Sequence, residues 1–220
     1  MKRKIILINL LLFCSLKLFS QSDNFLGFLP KWVVSQKLKG TSKWIHSLES
    51  RTVVRNNEYQ FSQSLVDISS IYSVKTFGNQ SFNIGYILRF RDSKTIHRTF
   101  QHYNFVNKYA NLPIGHRFAF EQFYQTNRKT TYRTRYRISA VKPLSGERVD
   151  VKELYFKLGN EYLYDFKDAD LEIRVTPYIG YQATKKDKIE FGIDYRRSNL
   201  INNSSENQFW FRTIWYISLD

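Results

Sequence analysis

The chain is short of sulfur. Its one cysteine, Cys14, sits inside an apolar leader, so removal of that leader leaves no thiol. That excludes disulfides and cysteine-held metal sites from the remaining chain. No window after residue 21 shows a helical period, which excludes a helix-dominated core. No second apolar run reaches the roughly 20 residues that a spanning helix needs. A glycine-rich phosphate loop following a strand is missing too, and no cofactor is implied. Acids are scarce: 19 Asp and Glu stand against 34 Lys and Arg.

What is present begins with "MKRKIILINLLLFCSLKLFSQ". Lys2, Arg3 and Lys4 precede the apolar run from Ile5 to Phe13, and Ser20 closes the stretch. A basic start, a short apolar centre and a small final residue describe a secretory signal peptide. The expectation is a leader over 1–20, cleaved before Gln21, and a single domain over 21–220. The competing readings are a buried helix and a lipoprotein signal at Cys14. Bulky Phe13, where such a signal wants a small residue, argues against the second. Loss of Lys2, Arg3, Lys4 and Lys17 leaves 30 bases against 19 acids, a formal charge of +11. The excess favours anionic partners. For an exported chain, lipopolysaccharide is the stronger candidate and nucleic acid is not expected.

Beyond the leader, side chains alternate in steps of two, the period of a strand. In "TTYRTRYRIS", Arg133, Arg135 and Arg137 fall on one face, with Tyr132, Tyr136 and Ile138 on the other. Leu154, Phe156, Leu158, Tyr162 and Tyr164 oppose Tyr155, Lys157, Gly159 and Glu161. Ile173, Val175 and Ile179 oppose Glu172, Arg174 and Thr176. Ile189, Phe191, Ile193 and Tyr195 oppose Glu190, Gly192, Asp194 and Arg196. Similar patterns run over Trp44–Val54, Phe82–Arg91, Arg117–Tyr124 and Phe209–Leu219. Less regular candidates lie at Trp32–Leu38, Ser62–Thr76 and Ile96–Tyr109.

Alternation of this kind fits two architectures. In a soluble sandwich or lipocalin-like barrel the apolar face meets a core; in a transmembrane barrel it meets lipid. Segments of 10–14 residues suit a bilayer better than the usual 5–6 of soluble strands. The apolar faces are also rich in aromatics, 18 Phe and 15 Tyr in all. The expected fold is therefore all-β: an antiparallel up-and-down transmembrane barrel in the outer membrane of a Gram-negative bacterium. A secreted soluble β-protein that binds a ligand is the alternative.

That orientation turns the ions inward. An Arg facing lipid at the midplane costs about 2–4 kcal/mol, which pins the register. Seven acids are expected inside: Glu49, Asp67, Glu121, Glu161, Glu172, Glu190 and Asp194. Ten bases accompany them: Arg51, Arg89, Arg117, Arg133, Arg135, Arg137, Lys157, Arg174, Arg196 and Arg212. A structural network of ion pairs filling the lumen follows. The alternating segments number eleven. Single-chain bacterial barrels carry an even number, with both termini on the periplasmic side, so ten or twelve is expected and twelve favoured. The turns "KGTS", "FGNQ" and "ATKKDK" then share the end of the C-terminus, and "LINNSSEN" lies opposite.

Four stretches carry a resemblance: "HRFAFEQFY" (His116–Tyr124), "YRTRYRIS" (Tyr132–Ser139), "LYFKLGNEYLYD" (Leu154–Asp165) and "RVTPYIGYQATKKDKIEFGIDYRRS" (Arg174–Ser198). In this order, from Trp32 to Leu219, the chain resembles the uncharacterised outer-membrane barrels catalogued as domain of unknown function 2490. One departure is Thr176-Pro177, where the family pattern has Asn-Arg, so a lumenal Arg contact is not expected there. The resemblance implies a barrel, with no known activity and no catalytic residues.

Little points to chemistry. His97 and His102 are five apart and face opposite ways on one strand, so they cannot share a metal. His46 and Ser47 are adjacent, which bars the hydrogen bond that a nucleophilic serine needs. His116 falls near a strand start, where an interfacial role is expected. An enzyme is not expected; a lipid A or phospholipid hydrolase is the residual alternative. What remains is a narrow anion-preferring channel or an envelope structural or binding protein. It would be a monomer in outer-membrane lipid and lipopolysaccharide, inserted by the barrel-assembly machinery.

Overall fold

The computed structural model describes residues 24–55, 60–109, 112–202 and 205–220. The expected leader lies outside these residues. Among the described residues eleven strands follow one another: β1 (Asn24–Lys37), β2 (Ser42–Arg55), β3 (Gln60–Lys75), β4 (Gln80–Arg91), β5 (Lys94–Tyr109) and β6 (Leu112–Tyr124). They continue with β7 (Thr131–Pro143), β8 (Glu153–Asp165), β9 (Asp170–Gln182), β10 (Asp187–Ser198) and β11 (Glu206–Ser218). Each is 12–16 residues long. Their length follows from long period-two patterns with turn residues between them, interrupted where the β2–β3 register shifts between Arg51 and Thr52.

The strands close into one barrel, each hydrogen-bonded to its neighbours in sequence. Consecutive strands are antiparallel, and β1 closes on β11 in parallel, from Asn24 beside Asn207 to Ser35 beside Ser218. This corrects the expected count of twelve: the eleven alternating segments are the eleven strands. The segment at Trp32–Leu38 is the latter part of a full strand that starts at Asn24. The even-number expectation fails because parallel strands also form a complete ladder, with evenly spaced slanted bonds slightly weaker per residue. An odd count also separates the two ends of the strand series. Asn24 lies at the end of the barrel opposite Ser218, so the start of β1 and the end of β11 do not share one side. Leu219 N–H donates to Ser35 carbonyl at 2.9 Å, and the Asp220 carboxylate accepts from Lys37 N–H. These bonds tie the C-terminus to the end of β1.

Antiparallel order places the turns after β1, β3 and β9 at the C-terminal end and those after β4 and β10 at the other. Asp92 and Ser93, with φ of 48° and 58°, join β4 to β5 in two residues. Positive φ at both positions makes the turn whose twist matches its flanking strands.

The usual sorting of residues is inverted. Large apolar side chains face out, Phe191 at 58% and Ile179 at 57% exposure. Ionic ones are sealed inside, Glu121 and Glu190 at 1% and Asp194 at 0%. Charged groups are almost never fully buried unless paired, so the interior is an ionic core. Inward aromatics fit it by lying across glycines. Phe100, Tyr155, Tyr178 and Trp210 stand directly opposite Gly85, Gly180, Gly192 and Gly27 on the adjoining strands. A Cβ at Gly85 would fall 2.2 Å from the Phe100 ring, so only glycine leaves that ring its place.

Candidate functional site in the barrel interior

Period two brings the inward acids and bases of neighbouring strands to the same level, and the longest network crosses seven strands. Arg89 on β4 donates twice to Asp67 on β3, both bonds at 2.7 Å. Paired forks of this kind are among the stronger protein hydrogen bonds. Arg98 on β5 lies 3.9 Å from Asp67 and 3.8 Å from Glu121 on β6. Glu121 accepts from Arg133 at 2.6 Å and Arg135 at 2.8 Å, both on β7. Arg135 also donates to Glu161 on β8 at 2.6 Å. Glu161 lies 3.7 Å from Arg174 on β9, whose Nε donates to Glu172.

A second network joins the barrel across its parallel seam. Glu49 on β2 meets Lys31 at 3.4 Å, Arg51 at 3.0 Å and Arg212 at 3.1 Å. Arg212 reaches Asp194 on β10 at 3.0 Å, and Arg196 grips the same carboxylate with two bonds of 2.9 and 2.8 Å. Elsewhere Glu190 accepts from Lys157 at 2.7 Å, Tyr155 at 2.8 Å and Tyr216 at 3.2 Å. Ions out of water are costly unless matched by partners and hydrogen bonds, and each of these carboxylates has at least one of each.

Arg137 is different. It faces inward with the other expected arginines, yet among the described residues it makes no ion pair. Glu161 stands directly opposite it but points its carboxylate to Arg135 and Arg174. Arg117 shares the isolation; among the described residues its one polar partner is Asn104 Oδ1, at 2.8 Å.

The middle of the lumen holds a cavity of about 200 Å³, walled chiefly by the ionic side chains of both networks. It adjoins a chamber of about 500 Å³ towards the C-terminal end. Arg117 and Arg137 belong to both walls. The opposite mouth holds a space of about 760 Å³ among Arg91, Arg128, Lys129, Phe123 and Phe166. Among the described residues lining the central cavity and the adjoining chamber, thirteen Lys and Arg side chains stand against five acids, Glu49, Asp67, Glu121, Glu161 and Asp194, with Glu190 and Glu172 paired beside them.

Sequence reasoning missed Lys31, Lys43, Arg98 and His102 on the inner face. The signal on β5 was obscured because Thr99 and Gln101 point outward while Phe100 points in. Gln122 bridges the outward pair, accepting from Thr99 at 2.7 Å and donating to Gln101 at 3.0 Å. Lys31 and Lys43 lie on β1 and β2, where the inward face mixes apolar and basic residues.

The histidines stand apart. His97 bonds Tyr86 on the outer face, whereas His102 is buried inside. His46 stacks on Trp44 outside, while Ser47 bonds Ser69 inside at 2.6 Å. His116 bonds the Tyr136 hydroxyl at 2.8 Å and stacks on Phe105. Among the described residues no three His, Asp or Glu side chains converge as a metal site.

No curated protein and no solved structure matched the chain. A family model described as "Protein of unknown function (DUF2490)" matches residues 30–208, from within β1 to the start of β11. The chain belongs to that family.

Proposed function

We propose that the protein is an integral outer-membrane β-barrel of a Gram-negative bacterium whose narrow, base-lined lumen admits small anions. One observation carries the reading: apolar and aromatic side chains cover the outside while paired ions fill the inside. A water-soluble barrel would expose that apolar surface at a cost of about 25 cal/mol per Å², whereas lipid would cover it. The leader over 1–20 supplies the export route, and assembly machinery inserts the chain as a monomer. Lipopolysaccharide would meet the lysines and arginines of the rim.

The surplus of interior bases supports anion preference, as rings of basic side chains do in anion pores. The central cavity, about 200 Å³, supports a constricted passage rather than a wide pore. An enzyme is not part of this reading.

Fractionation tests the location. The protein should sediment with the outer membrane, need detergent for extraction, and migrate faster on a gel before boiling than after. Recovery in a detergent-free soluble fraction would contradict it. In planar bilayers, a small conductance with an anion-selective reversal potential is expected; cation selectivity would contradict the lumen reading.

A further inference from the structure

We propose that Arg117 and Arg137 form a binding centre for a small, hydroxyl-bearing solute that carries a phosphate group, held in the 500 Å³ chamber. The proposal rests on the reading of the lumen as a space open to anions. The two arginines stand directly opposite each other on β6 and β7. Like charges in that relation are destabilising, so something must offset them. The other inward arginine pair of this kind shows how the barrel normally does so. Arg174 faces Arg196 across β9 and β10, and each has its own carboxylate, Glu172 and Asp194. Arg117 and Arg137 have none within 4.0 Å among the described residues.

The arrangement is built rather than accidental. Asn104 takes the Arg117 Nε–H, which leaves the two terminal nitrogens of that fork for another acceptor. Arg137 lies beside Gly159, where a Cβ would come within 3.4 Å of its Nη2. A second observation points to the same chamber. Asn83 and His102, directly opposite on β4 and β5, line it at 7% exposure each. Asn83 Oδ1 and His102 Nδ1 have no hydrogen-bond partner among the described residues. An orphaned buried polar atom costs about 1–3 kcal/mol, which a bound polar solute would offset.

The chemistry selects the ligand class. Two planar guanidinium forks match the tetrahedral oxygens of phosphate, and Lys43 in the same wall suits its second charge. A monocarboxylate would leave cations unmatched. The chamber exceeds the size of a bare phosphate, and Ser47, Ser73, Ser81 and Ser139 share the rest of its wall with Val33, Ile45, Ile71 and Ile214. The serines fit hydroxyl groups.

Titration calorimetry on the folded barrel in detergent micelles tests this with glucose 6-phosphate, inorganic phosphate and glucose as probes. Both phosphates should bind and glucose should not. Arg117→Gln and Arg137→Gln should each weaken glucose 6-phosphate binding at least tenfold, Arg137→Lys should recover part, and Lys167→Gln on the far turn should change nothing. No binding by the unaltered protein, or binding indifferent to Arg137→Gln, overturns the proposal. Should the Gln variants not fold, the unaltered barrel still decides: phosphate must raise its unfolding temperature where chloride at equal ionic strength does not. Membrane insertion is scored separately, so its failure bears on the barrel's location and not on this site.

Discussion

Tyr155 lies flat across Gly180, its direct neighbour on β9, and a Cβ at position 180 would fall 2.1 Å from the Tyr155 ring. The ring's hydroxyl donates to buried Glu190 at 2.8 Å, so the contact positions part of the ionic core.

Gly180→Ala must therefore displace the ring and disturb its bond to Glu190. The expected loss is about 1–3 kcal/mol, the usual cost of overpacking. A lowered urea midpoint in detergent, read from the heat-modifiable gel band, would register it. Gly180→Ala combined with Tyr155→Ala should lose less than the two single changes summed, because both act on one contact.

Glu121 is shared by Arg133 and Arg135 at 2.6 and 2.8 Å and is 1% exposed. Glu121→Gln leaves two buried cations short of charge and should cost about 3–5 kcal/mol. Asp168 pairs with Lys167 at 3.6 Å in the open, and Asp168→Asn should move stability by less than about 0.5 kcal/mol. Equal effects from the two changes, in the same unfolding assay, would contradict an ionic core.

Ile179 and Phe191 stand opposite each other on the outer face. In a bilayer, Phe191→Arg should cost about 2–4 kcal/mol if that site lies near the midplane. An unchanged unfolding midpoint in lipid vesicles would count against lipid at this surface.

The parallel seam makes a covalent prediction. Val34 on β1 faces Ile217 on β11, so Val34→Cys with Ile217→Cys, in a Cys14→Ser background, should form a disulfide on oxidation. The product would show altered gel mobility without reductant. Failure to cross-link in the folded barrel would argue against closure by these two strands.

Much of this fold was legible because a strand's period fixes faces residue by residue. On β10, Ile189, Phe191 and Ile193 against Glu190, Asp194 and Arg196 announce both the strand and its orientation. On β5 the same reading falters, since Thr99 and Gln101 satisfy each other outside through Gln122 while Phe100 is drawn in over Gly85. That the sheet closes into a barrel was expected, but the manner of closure was not legible: whether β1 meets β11, and in which direction, depends on the whole ring, and no local pattern carries it. The acids and bases of the interior could be read as a set, but not their pairing. Long guanidinium arms choose among several strands, so Arg212 on β11 passes β1 to reach Glu49 on β2. Arg137 loses Glu161, its direct neighbour, to Arg135 and Arg174.

The orientation of the wall is the claim on which the rest depends, and spin labels can read it. Labels placed singly at Ile179, Phe191, Ile193 and Phe211 in lipid vesicles should collide freely with oxygen dissolved in hydrocarbon and be shielded from a water-soluble nickel complex. Labels at Lys186 and Leu200, in turns at opposite ends, should show the reverse. Nickel contact at the four wall positions equal to that at the turns would mean water, not lipid, covers the barrel.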